Sequence, residues 1–523
     1  MNQKSKGTPL LDITKRRSEY LENFISEIDE SSLAKYALDR WAFYHASLAL
    51  GQNLPQANQY FETLDYDPRK REWFGELDTV DWDFTGIAIL KTLLDFSSSP
   101  LLSEAAKNNL RSMITGWKQP RPKVNKDNNR RSQWPFIHTE NHDIMCLTIG
   151  LFSALFAGQD TKEIIRQLAK SLSCRFKWGW VEWHSPCYQV HYLKPLLILA
   201  KHAPSNRLRK GASDLINLQL AERALLSVNG HLGGPFLRGY ADHYADDRHD
   251  SYLPVAWLAF GISKPVYYLG EGVSFAADSF VPDPVVSCLA YESQDRTELV
   301  YQGTRVSLDT ETPWPITYYN TPHISMGSIH LSGYSFQTRY FNILIAADPS
   351  KNLRTCLKNE SLASSNDTGK EIGQVAQYRN WLVARGTLIE GGGFKPVKVG
   401  KWNLYCAGKA LCAHALLGEE WHVFNIGDTD IFHDADSFLS SLSLPELVDG
   451  HISAKTSDRT NLSVSLSDMS ISVNNLPLVE KRELLHDCPY IHSKWGEGTI
   501  NINTKFTSLV LDNSELTRIE DER

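Results

Sequence analysis

Apolar residues recur at helical spacing through the first half of the chain. "LLDITKRRSEYLENFISEID" and "SLAKYALDRWAFYHASLAL" place them at i, i+3, i+4 and i+7, which lines one face of a helix. The pattern continues through "FTGIAILKTLLDF", "LLSEAAKNNLRSMITGW", "DIMCLTIGLFSALFAG", "TKEIIRQLAKSLSC", "SPCYQVHYLKPLLILAKHA" and "NRLRKGASDLINLQLAERALLSV". Short polar or Gly-containing turns separate these segments, as in stacked antiparallel helix pairs. No residue-level repeat of fixed period appears, which argues against a solenoid.

Near residue 270 the period changes. "TELVYQGTRVSL", "ISMGSIHLSG", "SFQTRYFNILIAAD", "NWLVARGTLIEGG", "WNLYCAGKALCAHALL", "EEWHVFNIGD" and "LSVSLSDMSISVN" are short, β-rich and often alternating, with Gly, Asn, Asp and Ser between them. Such runs predict a large antiparallel β domain. Helices followed by strands suggest two packed domains, and 523 residues are too many for one ordinary core. The polar stretch "LKNESLASSNDTGKEIG" (357–373) reads as a mobile loop.

Composition narrows the function classes. Hydrophobic residues at 42% and charged residues at 22% are those of a globular protein. A net charge of -7 leaves no basic surplus for nucleic acid, so no nucleic-acid partner is expected. No apolar stretch approaches the roughly 18 residues of a membrane span. The start "MNQKSKGTPLLDITKRR" lacks the apolar core of a secretory signal, and the expectation is a cytoplasmic protein. Eight cysteines, at positions 146, 174, 187, 288, 356, 406, 412 and 488, include no CxxC pair and read as reduced thiols. Fourteen tryptophans raise the aromatic content to 11%, a surplus that suits both a carbohydrate groove and a large core.

Three constellations carry candidate chemistry. In the first, Glu140, Asn141, His142 and Asp143 crowd the start of an apolar helix whose buried stripe is Ile144, Leu147, Leu151 and Leu155, with Thr139 as N-cap. The plainer reading makes Glu140 and Asp143 complements to the helix dipole, and Asn141 and His142 caps. In the second, Ser185 before Pro186 marks a helix start, and Tyr188, His191 and Tyr192 follow on one face, behind Trp180, Glu182 and Trp183. The plainer reading is an aromatic packing face. The third, "GHLGGPFLRGYADHYADDRHDSY" (230–252), holds Arg238, Tyr240, His243 and Tyr244 between two helices, or is simply a surface loop. Its "ADDRHD" fits neither zinc nor EF-hand spacing, and "IEGGGF" lacks the Lys-Ser/Thr of a phosphate loop. No metal and no cofactor are expected. All three constellations sit at helix starts or between helices, and in paired helices such ends can converge on one rim.

With its helices first and β domain after, and with "TENHD" (139–143), "WVEWHSPCY" (180–188) and "GGPFLRGY" (233–240), the chain resembles the heparinase-like and alginate-lyase-like polysaccharide lyases and related bacterial toroid proteins. The resemblance implies an N-terminal (α/α) toroid of helix hairpins over 1–268 and an antiparallel β-sandwich over 269–523. In architecture it covers most of the chain; in motif it covers only about 139–142, 180–192 and 233–240.

It also implies a β-elimination. Removal of the C5 proton of a uronate requires neutralisation of the C6 carboxylate and stabilisation of an enolate-like transition state. On this mapping Asn141, helped by Arg238, neutralises the carboxylate, and a helix N-terminus adds a favourable field. Tyr188 is the leading acid/base, and His142 or His191 the second proton-transfer group, with Tyr240 as a further candidate. Glu140, Trp180, Glu182, Trp183, Tyr192 and His243 are candidates to hold the substrate, an oligosaccharide or a small molecule. Three other readings stay open: a glycoside hydrolase using Glu140, Asp143 and Glu182, a biosynthetic enzyme with an enclosed groove lined by Trp180, Trp183 and Phe236, and a non-catalytic sugar-binding protein. Substrate identity and oligomeric state are not legible.

Overall fold

The computed structural model describes residues 9–28, 33, 37–65, 82–116, 140–237, 250–305, 313–330, 339–348, 353–359, 375–392, 395–457 and 459–521. Among these, twelve helices precede the long strands: α1 (Pro9–Glu27), α2 (Ala37–Leu50), α3 (Leu54–Thr63), α4 (Trp82–Asp95), α5 (Glu104–Thr115), α6 (Glu140–Phe156), α7 (Lys162–Trp178), α8 (Gln189–His202), α9 (Asn206–Leu226), α10 (Leu253–Phe260), α11 (Gly270–Ala276) and α12 (Pro284–Asp295). The chain is thus helical in its N-terminal half and antiparallel β in the remainder.

The change from helix to strand comes later than 269. α11 and α12 lie beyond that point, and the first long strand opens at Leu299. α12 has the ingredients of a helix start: Pro284 at its first position and Asp283 Oδ1 accepting the Val285 N–H at 2.8 Å. Its Val285, Val286, Leu289 and Ala290 are buried.

α2 touches α4, α4 touches α6, α6 touches α8, α8 touches α11, and α11 touches α2. Sequence neighbours cover them: α1 lies on α2, α5 and α7 on α6, and α9 on α8. This two-deep packing changes the reading of α6. A single apolar stripe was expected; instead every residue from Glu140 to Ala154 is buried except His142, which is partly open. Leu155, assigned to the stripe, is 37% exposed, because it lies in the last turn.

The strands form β1 (Ser227–Val228), β2 (His231–Leu232), β3 (Leu299–Arg305), β4 (Trp314–Asn320), β5 (Ile324–Ile329), β6 (Phe341–Asp348), β7 (Leu353–Asn359), β8 (Val375–Tyr378), β9 (Trp381–Arg385), β10 (Leu388–Gly392), β11 (Val397–Val399), β12 (Trp402–Ala407), β13 (Ala410–Leu417) and β14 (Trp421–Asp428). Then follow β15 (Glu446–Val448), β16 (His451–Lys455), β17 (Asn461–Ser465), β18 (Ile471–Val473), β19 (Leu476–Pro477), β20 (Leu484–Asp487), β21 (Ile491–Lys494), β22 (Thr499–Asn503) and β23 (Ser508–Asp512). Beyond the β1–β2 hairpin they make three sheets. A ten-stranded sheet runs β10-β7-β6-β5-β4-β3-β20-β21-β22-β23, a six-stranded one β11-β12-β13-β14-β9-β8, and a five-stranded one β15-β16-β17-β18-β19. β5 of the first sheet touches β8 and β14 of the second. Trp381, Val383, Trp421 and Val423 of the second pack on Ile452, Leu462 and Val464 of the third. The 357–373 stretch begins as the end of β7; from residue 360 it lies outside the described residues.

Buried polar contacts join the helices to the first sheet. Glu222 of α9 receives His486 Nε2 at 2.8 Å and Arg305 at 3.4 Å. Arg305 also donates to the Tyr301 hydroxyl and the Leu485 carbonyl, and its guanidinium lies 3.8 Å over the Trp183 ring. A C-terminal helix (Ser514–Asp521) returns to α7 and α9, where its Leu516 is fully buried. Burial pushes the Glu222 carboxyl up to about 8 against the pull of Arg305.

The Gly-rich segment is not a free loop up to residue 237. Gly233 and Gly234 lie directly against the sheet: a Cβ on Gly234, whose φ is +84°, would fall 1.9 Å from the Tyr318 ring. Phe236 and Arg339 exchange backbone hydrogen bonds of 3.1 and 2.9 Å, and Leu237 N–H donates to the Trp183 carbonyl. Only glycine permits that approach and that φ.

Candidate functional site

Three helix starts build the candidate site. α4 brings Asp83 and Phe84, α6 brings Asn141 and His142, and the start of α8 brings Tyr188, just before its first residue, and His191 in its first turn. The second start forms as its residues direct: the Ser185 hydroxyl accepts the Tyr188 N–H at 3.1 Å, and its carbonyl accepts the Gln189 N–H. Ser185 therefore caps a turn, but the regular helix begins at Gln189 and not at Pro186. Thr139, expected to cap α6, lies outside the described residues.

Glu140 ties two of these starts together. Its Oε2 accepts the N–H groups of Val181 and Glu182 at 3.0 and 3.1 Å, and its Oε1 lies 2.6 Å from Arg175 Nε. A carboxylate at the first position of α6 thus organises the turn that leads into α8. Burial pushes Glu140 up to about 7, opposed by Arg175.

Around Phe84 the groups converge. His142 and His191 stand edge-to-face with its ring at centroid distances of 5.3 and 4.5 Å, and Tyr188 lies 6.2 Å from His191. His142 Nδ1 is 2.5 Å from Asp83 Oδ2. Asp83 and Asn141 are fully buried, whereas His142, Tyr188 and His191 keep part of their surface open. Burial, with Lys194 and His142 adding to it, holds His191 well below the ordinary histidine value. It is therefore neutral, with a lone pair for accepting a proton.

The remaining sequence candidates fall into two groups. Trp180, Glu182, Trp183 and Tyr192 are buried behind the cluster with Glu140. The Tyr192 hydroxyl donates to Glu182 Oε2 at 2.5 Å, Trp180 stacks on Tyr192 at 5.3 Å, and Trp183 donates to the Tyr318 hydroxyl at 3.0 Å. All four pack in the interior behind the cluster. Arg238, Tyr240 and His243 lie outside the described residues.

Sequence reasoning missed Asp83 and Phe84. The signal was present: "DWDFTG" sets an acid in the first turn before an apolar run, as "TENHD" does. What the sequence could not show is that the two starts meet.

Among the described residues, His323, Asp428 and Asp430 are spaced to hold a cation, with His323 Nε2 4.0 Å from each carboxylate. Those carboxylates are already engaged, Asp428 by the Thr321 hydroxyl and the Asp430 N–H, and Asp430 by Lys409.

First-turn N–H groups of α6 and its dipole favour negative charge. Asp83 holds the His142 ring by Nδ1, which leaves Nε2 as the working nitrogen. The Tyr188 ring lies 6.2 Å from the His191 ring. No family model and no curated sequence matches this chain.

Proposed function

We propose that this chain is a carbohydrate lyase on an (α/α) toroid joined to a β-sandwich, acting by β-elimination on a uronate-containing oligo- or polysaccharide. The observation that carries the reading is the meeting of His142 and His191 on Phe84, with Tyr188 next to His191 and Asp83 behind His142. The helix contacts that lead from α2 back to α2, each helix backed by a sequence neighbour, support the toroid.

On this reading Asn141 and the α6 N-terminus bind the C6 carboxylate and stabilise the charge that develops when C5 loses its proton. The neutral His191, or Tyr188 after passing its own proton to His191, takes the C5 proton. Tyr188 or His142 returns a proton to the glycosidic oxygen as the C4–O bond breaks and the C4–C5 double bond forms. Asp83 acts through His142 by holding its ring. Hydrolysis is less well supported. Glu140 is engaged by Arg175 and two backbone N–H groups, and Glu182 by Tyr192, so neither is free to serve water or a leaving group.

The test is incubation with uronate oligosaccharides, followed by ultraviolet absorbance for the new double bond and by a reducing-end assay. Unsaturated product is expected. New reducing ends without unsaturation would establish hydrolysis, and the absence of both would remove the carbohydrate reading.

A further inference from the structure

A second place in the fold has the features of a ligand site, and the helix-start cluster does not use it. A cavity of about 250 Å³ lies between the ten-stranded sheet, β8 of the six-stranded sheet and the turns between Asp468 and Lys481. This is just under the roughly 300–1,000 Å³ of pockets that hold drug-sized ligands, so it suits one small ring. It faces away from the helices. Tyr318 of β4 reaches Trp183 and His184 on one side of the sheet, and its neighbour Thr317 lines the cavity on the other.

The wall on the sheet side is polar by register. Gln302 of β3 pairs with Thr317, and Thr317 pairs with Ser328 of β5, so the three side chains form one row across the face. All three line the cavity. Gln302 and Thr317 are partly open, so their polar groups are accessible from the cavity.

Gln377, on β8, also lines the cavity and is only 6% exposed. Its Nε2 donates to the Met326 and Arg379 carbonyls at 3.3 and 3.0 Å. Two carbonyl acceptors define which end of the amide is nitrogen. The other end, Oε1, is buried and accepts nothing from the chain. It is closed off from the cavity as well as from bulk water, so this amide forms part of the wall and not a binding edge. Charge at the mouth is largely balanced: Glu480 takes His330 at 2.5 Å and Arg482 at 2.8 Å, and Lys481 holds Asp487. Nothing there selects for an ion. Met469, Ile471 and Leu478 supply the apolar lining that the C–H face of a sugar needs.

We propose that this cavity binds one neutral, hydroxyl-rich ring of monosaccharide size, with its hydroxyls on the Gln302–Thr317–Ser328 row. The ring comes either as a free sugar or as the end unit of a longer chain. The proposal does not depend on the elimination reading, because binding here is measured without turnover.

The experiment is a ligand-observed NMR titration of the full chain with the methyl pyranosides of glucose, galactose and mannose, and with a neutral oligosaccharide of whichever binds. Saturable binding of at least one glycoside is expected. Thr317→Leu, which fills the cavity, should weaken it by about tenfold or more, and Asn141→Ala should leave it intact. Gln302→Leu, at a partly open position, serves if Thr317→Leu lowers the melting temperature. Tighter binding of the oligosaccharide assigns the site to chain ends, and equal binding to free sugar. No saturable binding by any glycoside, binding indifferent to both cavity variants, or binding lost in Asn141→Ala would overturn the proposal.

Discussion

His142 Nδ1 stands 2.5 Å from Asp83 Oδ2, joining the first turns of two helices that lie 59 residues apart in the chain. The carboxylate is fully buried and the imidazole partly open. A buried acceptor on one ring nitrogen sets the tautomer and the direction of the other.

Asp83→Asn keeps the size of the side chain but lets the imidazole take the wrong tautomer. Turnover on a uronate substrate is expected to fall about 100-fold or more, the usual worth of a positioned acid or base. KM should change little, and the pH–rate profile should lose one limb. A parallel shift in KM with an unchanged profile would reduce Asp83 to a packing role.

Asn141→Ala removes one amide donor at the start of α6. A lost donor to a developing oxyanion typically costs about 100- to 1000-fold in rate. The variant should remain folded by circular dichroism. Near-normal turnover in that folded protein would take the carboxylate-binding role away from Asn141.

Tyr188→Phe deletes a hydroxyl and keeps the ring packed near His191. If the hydroxyl transfers the proton, kcat drops steeply while substrate binding persists, because the lost interaction belongs to the transition state. The measurement is kcat and Kd on the same preparation, with its melting temperature. An unaltered kcat would move proton transfer to His142 or His191.

Gly234→Ala sets a methyl group 1.9 Å from the Tyr318 ring at a φ of +84°. Neither the ring nor the sheet can move far, since Tyr318 is fully buried and receives Trp183 Nε1. A loss of about 2–4 kcal/mol is expected, read from the denaturant midpoint. An unchanged midpoint would show that the 233–237 segment does not need its close approach to the sheet.

Acid should destabilise the fold through its buried imidazoles. His414 and His45 are each held down to about 4 by burial, from an ordinary value of 6.5, and His184 and His486 shift the same way. Between those two values the unfolded chain binds more protons than the folded one, so stability is complete above about 6.5 and falls as pH drops toward about 4. His414 and His45 each contribute on the order of 3 kcal/mol at most. His414 donates from Nε2 to His422 Nδ1 at 3.0 Å, and His422 Nε2 donates to the Gly386 carbonyl. His414→Phe removes one titrating group from this stack and should flatten the fall of melting temperature with pH. A profile identical to the parent's would remove His414 from the linkage.

The helical segments and many of the strands were legible because their cues are local. So were the polar helix starts: Asn141, His142, Tyr188 and His191 stood out by type and position, and His142 and His191 meet on Phe84. Other roles were hidden. Glu140 and Glu182 read as substrate carboxylates, yet each is occupied by partners that no short-range pattern reveals. Leu155 fell on the apolar spacing and ended at the surface, because periodicity assigns a face but not where a helix leaves the core.

What the sequence determined by itself was the kind of each element and the chemistry at its ends, since backbone period, caps and Gly positions act over a few residues. What only the tertiary structure decided was which ends meet and which are sealed. Asp83 reaches His142, Glu140 reaches the turn at Val181, and Glu222 reaches His486 across 264 residues. Such contacts are selected by packing and desolvation over the whole chain: a buried charge is tolerable only where the fold delivers its partner.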